Sequence, residues 1–253
     1  MQSRFLKQLI YGSLYLIILL GLGYLLYAPF KAPASCFDNR KNQGETEIDC
    51  GGPCESCELR RLKPIQVSPV SLFSIDGRTV SALFELVNPN TKYGAERFSH
   101  KIEFFDSGGR IIDSVTKESF IYPGEIKYIV EPSIEVSGPV ARAAAEVSGF
   151  VWKPIAEFSA PKTQTRDIKI EIKEGAGEAR IAGLLINQNS FRISRAVIIA
   201  VIHDQSGNRT GFSKTLVLDM EPFEERSFAI TIPITDSTGL SRDSVKIFVE
   251  ARR

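Results

Sequence analysis

The chain has 253 residues, with 31 lysines and arginines against 30 aspartates and glutamates, for a formal net charge of +1. So even a balance makes no long-range field to draw in nucleic acid or a strongly acidic partner. Two histidines, His100 and His203, leave few groups for proton transfer near neutrality. The composition is that of a folded chain, and the length suits one large or two small domains plus an anchor.

Residues 1–8 are short and basic, with Arg4 and Lys7. Residues 9–30 follow as an uncharged, mostly apolar run. At 1.5 Å per residue, about 20 helical residues span a bilayer core. Tyr11 near one end and Tyr24 and Tyr27 near the other suit the two interfaces, and Pro29 is a natural stop. The run predicts a retained single-pass helix in the plasma membrane, a signal-anchor, with residues 1–8 cytoplasmic and the rest extracytoplasmic. Lys31, Arg40 and Lys41 on the far side keep the charge rule from deciding alone. A cleaved signal peptide is the alternative, since Ala32-Pro33-Ala34 has cleavage-like spacing, although the run exceeds a usual signal core. A lipid-anchored form at Cys36 is a variant of it, with Pro33 where that pattern has an aliphatic residue.

Residues 31–60 form a Cys-rich stalk segment holding all four cysteines, Cys36, Cys50, Cys54 and Cys57. In an oxidising compartment an even, clustered set reads as two disulfides, with three pairings open. Almost no apolar side chain is present to build a core, so cross-links take its place. Cys54-x-x-Cys57 also has zinc-ligand spacing, the alternative reading. Asp38, Asn42, Glu45 and Asp49 offer oxygens of the type calcium takes. An EF-hand is excluded, because Arg40 and Gln43 stand at its third and glycine positions. A solvated polar loop without cofactor is the simpler expectation. From Cys36 to Asp49-Cys50-Gly51-Gly52 and on to Cys57, the segment resembles a short cysteine motif of prokaryotic, adhesin-like surface proteins. The usual form has glycines where this chain has Asn39 and Glu47. The resemblance implies a surface location.

The remainder is self-similar. Asn187 follows Asn88 by 99 positions, Asp204 follows Asp106 by 98, and Pro222 follows Pro123 by 99. Three landmarks in one order at near-constant offset point to two units of one kind. Alternation such as Ile168, Ile170 and Ile172 against Lys169, Glu171 and Lys173 marks strands. Asp76-Gly77, Ser107-Gly108-Gly109 and Ser206-Gly207-Asn208 supply turns. The expected fold is mainly β: two tandem immunoglobulin-like β-sandwiches of six or seven strands, at 61–157 and 166–253, joined by a linker at 158–165. The pattern resembles the FxLYD-type family of extracytoplasmic sandwich domains. Ile102-Glu103-Phe104-Phe105-Asp106 stands on the namesake stretch, with Pro123-Gly124-Glu125 after it. In the second unit Ala200 to Asp204 stands there, and Pro222-Phe223-Glu224 lacks the glycine. The family implies a fold and a location and no catalytic residues.

No phosphate loop, dinucleotide fingerprint, nucleophile elbow or zinc-protease motif occurs. His203 and Asp204 are strand neighbours, so their side chains point to opposite faces. His100 has no partner identifiable from sequence. Trp152 with Phe150 and Phe158 reads as packing between domains or as an exposed patch. The expectation is a non-enzymatic envelope protein, without nucleic-acid binding. Its partners are the membrane, through its own helix, and another envelope protein, surface assembly or glycan.

Overall fold

The computed structural model describes residues 2–27, 35–76, 78–173, 177–204, 206–233 and 244–253. Pro29, Phe30, Lys31, the cleavage-like Ala32-Pro33-Ala34 and Gly77 lie outside them. The chain divides into two units, Met1–Leu62 and Lys63–Arg253.

The first unit holds a helix, α1 (Gln2–Tyr27), and the Cys-rich segment, which ends in a short 3-10 turn at Leu59–Arg61. The helix takes in Arg4 and Lys7, so it starts ahead of the apolar run, because lysine and arginine are good helix formers. It is long and apolar enough to cross a membrane. Its large apolar side chains, from Phe5 to Tyr27, are all exposed.

The second unit is built of antiparallel strands. β1 (Gln66–Val67), β2 (Ser71–Asp76), β3 (Thr79–Val87) and β6 (Ile126–Glu135) make one sheet, with β3 at its centre. β4 (Tyr93–Phe105) lies between β5 (Ile111–Ile121) and β7 (Arg142–Pro154) in a second. The two enclose a core of Phe84, Leu86, Phe98, Ile102, Phe104 and Ile129. β8 (Thr163–Lys173), β9 (Glu178–Asn187) and β12 (Glu225–Pro233) make a third sheet centred on β9. β10 (Ile193–His203) lies between β11 (Arg209–Met220) and β13 (Val245–Arg252) in the fourth. Their core holds Ile181, Leu185, Ile198, Ala200, Ile202 and Ile230. Each pair of sheets is a β-sandwich.

The sandwiches pack face to face. On β3, Ala82, Phe84 and Leu86 enter the first core, while Leu83 points the other way. On β10, Ile198, Ala200 and Ile202 enter the second core, while Ile199 and Val201 point out to meet Leu83, Val130 and Phe212. Tyr128 and Phe248 stack across the same seam with ring centroids 4.1 Å apart. Both inner sheets are thus covered on both faces, which explains the unbroken apolar run of β10. Each large side chain so buried contributes about 1.5–3 kcal/mol, an upper estimate, which favours docking.

One set of hydrogen bonds recurs in both sandwiches. Asn88 Nδ2 donates to the carbonyls of Tyr93 and Tyr122, and its Oδ1 accepts from the Asn90 backbone and side chain. Asn187 Nδ2 donates to the carbonyls of Phe191 and Glu221, and its Oδ1 accepts from Asn189 in the same way. Asn90 then exchanges two bonds with the Lys63 backbone, as Asn189 does with Lys162. Asp106 accepts from the amides of Gly108 and Arg110, and Asp204 from those of Ser206 and Asn208. Each bracket joins the strand end, the following loop and the turn before the next strand.

Candidate functional site

The seam between the sandwiches opens at one end into a cleft of about 150 Å³. Two strands of the first sandwich make one wall. β6 presents Lys127, Ile129 and Glu131 toward the first core and Tyr128 and Val130 toward the second sandwich, a period of two with charges on the core side. β5 adds Ser119 and Phe120. His100, from the middle of β4, reaches the floor beside Phe84 and Phe98. The opposite wall is the outward face of the fourth sheet: Arg195, Val197 and Ile199 of β10, Lys214 of β11, and Glu250 and Arg252 of β13.

Charges are paired across the seam. Glu131 is buried and pairs with Lys117; Lys214 and His100 each lie 3.7 Å from it. Burial is the largest single effect on the Glu131 carboxyl and opposes ionisation. Hydrogen bonds from His100 and Lys117 and the charges of Lys214 and Lys117 together outweigh it, holding the pKa at about 2. Lys214 also donates to the Val130 carbonyl, and burial pushes its ammonium below the usual range despite the pull of Glu131. Lys127, fully buried, pairs with Glu250 at 2.6 Å and lies 4.1 Å from the Phe120 ring centroid. Tyr122 donates its hydroxyl to the Ala251 carbonyl, and Arg209 lies 3.5 Å from Glu85. Such pairs add register more than net stability, since desolvation offsets the Coulomb gain.

In the Cys-rich segment the disulfides are Cys36–Cys54 and Cys50–Cys57, an interleaved pairing. The four calcium candidates do come together, as a hydrogen-bonded scaffold. Asp49 accepts from the amides of Asp38 and Asn39, and Glu45 from those of Asn42 and Asp49. Asp38 accepts from the Arg40 amide and the Asn42 side chain. Among the described residues, two groupings bring three ligand-type atoms within 4.8 Å, Cys36-Glu45-Cys54 and Glu47-Cys50-Cys57. Each contains one of the disulfides, and a disulfide sulfur is no thiolate ligand. Asn39, at one of the glycine positions of the resembled motif, has φ 57°, a left-handed value that asparagine tolerates. At Gly51 a Cβ would lie 2.3 Å from Thr46 Oγ1, so the Cys-Gly-Gly run has no room for side chains.

The other residues singled out in the sequence fall into structural roles. Asp204 caps its turn, which, through the Asn208 side chain first, lowers its carboxyl below the usual range. His203 is half-buried, and desolvation lowers its imidazole. Phe150 and Trp152 stack at 5.3 Å and pack on the first core. Phe158 belongs to a different group, stacked on Tyr122 at 4.5 Å. Sequence reasoning missed the cleft. The available signal was Lys127 and Glu131 at core-facing positions flanking Ile129.

No protein-family model matches the chain, and no curated protein does. Among solved structures, red sea bream transglutaminase aligns over 77% of this chain and 32% of its own, at 10% identity and a TM-score of 0.23. The chain therefore spans about a third of that enzyme's length. The N-terminal CBM22-1-CBM22-2 tandem domain of Paenibacillus barcinonensis Xyn10C aligns over 74% of this chain and 83% of its own, at 10% identity and a TM-score of 0.13. Likeness at this level carries no argument about function.

Proposed function

We propose that this is a non-enzymatic protein of the cell envelope, anchored by α1 with residues 1–8 cytoplasmic and the Cys-rich segment and sandwiches extracytoplasmic. The observation that carries the reading is the unbroken exposed apolar surface of α1, which needs lipid to cover it. Two disulfides in a segment without an apolar core support an oxidising compartment. The recurring brackets around Asn88 and Asn187 support descent of the sandwiches from one duplicated, immunoglobulin-like unit of the FxLYD type. The docked pair acts as a stiff spacer and an interaction module for another envelope protein or a glycan.

Orientation is tested by thiol labelling of intact cells after reduction by an impermeant agent. The proposal expects label on Cys36 to Cys57 before lysis; label only after lysis overturns it. Cross-linked membranes with the chain as bait test the binding role. A captured envelope component that survives high-salt washing supports it, and recovery of the bait alone under several cross-linking chemistries counts against it.

A further inference from the structure

The seam cleft has an unbalanced polar inventory. Its two carboxylates are already matched by neighbouring ammonium groups, Glu131 by Lys117 and Lys214 and Glu250 by Lys127. Arg195 and Arg252 remain. They are direct cross-strand partners on the β10–β13 pair, and both line the cleft. Among the described residues neither has a carboxylate within 4.0 Å; Arg252 lies instead 5.3 Å from the Phe120 ring centroid. Both are exposed, so solvent softens the repulsion between these directly opposed like charges and leaves the two guanidiniums open to an anion. Deeper in, the wall holds unmet hydrogen-bonding capacity. His100 Nδ1, in a side chain 2% exposed, lacks a hydrogen-bond partner, as does Glu250 Oε1, while His100 Nε2 faces Glu131 at 3.7 Å. A buried unsatisfied polar atom costs about 1–3 kcal/mol, which a ligand can recover. At about 150 Å³ the cleft takes a compact acid with part of its body left in solvent, and falls well short of the roughly 300–1,000 Å³ of sites that enclose larger ligands.

We propose that this cleft binds a small hydroxylated oxyanion of the sugar-acid type. Arg195 and Arg252 hold its acidic group, and Glu250 and His100 take its hydroxyls. Guanidinium groups present planar forks of donors that match a carboxylate, and the free Glu250 oxygen is an acceptor that only a donor such as a hydroxyl satisfies. The ring of Phe120 and the side chains of Val197 and Ile199 give the ligand body an apolar bed. The site goes beyond the anchoring and spacer reading and stands whether or not the sandwiches also dock a protein.

The test is isothermal titration of the full chain in detergent with glucuronate, glucose, and inorganic phosphate. The expected result is saturable one-to-one binding of glucuronate, none of glucose, and weaker binding of phosphate. Arg195→Gln and Arg252→Gln each weaken glucuronate by about tenfold or more, as loss of a charge-assisted bond does. Glu250→Gln weakens glucuronate more than phosphate, read at a temperature where the variant's own melting curve shows it folded, because the change also unpairs buried Lys127. Lys101→Gln, at an exposed position on β4, changes nothing. Because Arg195→Gln relieves a like-charge pair, its ligand-free melting temperature stays level or rises, so lost binding is not lost folding. Absence of saturable glucuronate binding overturns the proposal, as does unchanged affinity in both arginine variants. Phosphate binding as tightly as glucuronate overturns the assignment of the hydroxyl contacts.

Discussion

Replacing Asn88 tests the bracket that joins three segments of the first sandwich. The side chain is 1% exposed and makes four hydrogen bonds, two to carbonyls at 2.8 and 2.9 Å and two from Asn90 at 3.0 and 3.1 Å. Asn88→Ala removes all four. At about 1 kcal/mol for each net bond, with the Asn90 amide left in a dry environment, the cost is about 3–4 kcal/mol. Against a typical stability of about 5–15 kcal/mol that is a large share. With a urea slope of about 2 kcal/mol/M, the midpoint falls by about 1.5–2 M. Asn88→Asp keeps shape and the accepting oxygen, yet sets a second acceptor against two carbonyls. Its defect at neutral pH equals or exceeds that of alanine, and shrinks in acid, where a protonated carboxyl regains a donor. Urea unfolding followed by circular dichroism measures all three proteins. An alanine variant within about 1 kcal/mol of wild type, or an aspartate variant as stable as wild type at neutral pH, would refute the bracket's energetic role.

Three further outcomes are expected. Glu131 has a folded pKa of about 2, below its ordinary 4.5, so its contribution is present above 4.5 and lost as pH falls toward 2. Glu131→Gln therefore removes about 3 kcal/mol of that acid-dependent stability, read as a flatter stability–pH curve in urea titrations. Glu125, raised by burial, contributes with the opposite sign, so the difference between variant and wild type is the quantity to compare. Phe223, 66% exposed, holds φ 60°, where Gly124 holds φ 67° at the equivalent turn. Phe223→Gly stabilises the chain by about 1 kcal/mol in thermal unfolding, since a bulky residue is strained there. Replacing Cys36 and Cys54 with serine opens a cross-link of separation 18, worth about 3 kcal/mol in the chain-entropy model. Trypsin then cuts the segment at Arg40 and Lys41 much faster, while the sandwich strands stay protected.

What was legible in the sequence was whatever local chemistry decides. Alternation gave strands such as β8 and β13, and turn residues placed the Asp106 and Asp204 corners. The landmarks Asn88 and Asn187 stood out as repeated letters, and the structure shows what they do. Less legible was anything set by distant partners. The pairing of Cys36 with Cys54 is one of three that spacing allows. The start of α1 at Gln2 rather than position 9 reflects helix propensity, which hydropathy does not report. The missing glycine at Phe223 left no trace in the backbone, which keeps the left-handed turn at the expense of strain.

Face-to-face packing was the largest thing hidden, and the cleft depends on it. The first sandwich docks through the sheet holding β3 and β6, the second through the sheet holding β10, β11 and β13. The two sandwiches do not dock through sheets at matching places in their strand order, so the contact is heterologous. The remaining outer faces carry charges instead, with Arg97, Lys101 and Glu103 on β4 and Arg180 on β9, which discourages further stacking of the same kind. The core side of β6 carries Lys127 and Glu131, and Arg195 and Arg252 stand opposite on the second sandwich. A solitary sandwich would expose Lys127 to water, and a merely strung-out pair would leave Glu250 without it. Only the docked arrangement brings His100, Glu131, Arg195 and Arg252 around one cavity, so any ligand that binds there also holds the two sandwiches together and raises their stability as its concentration rises above its Kd.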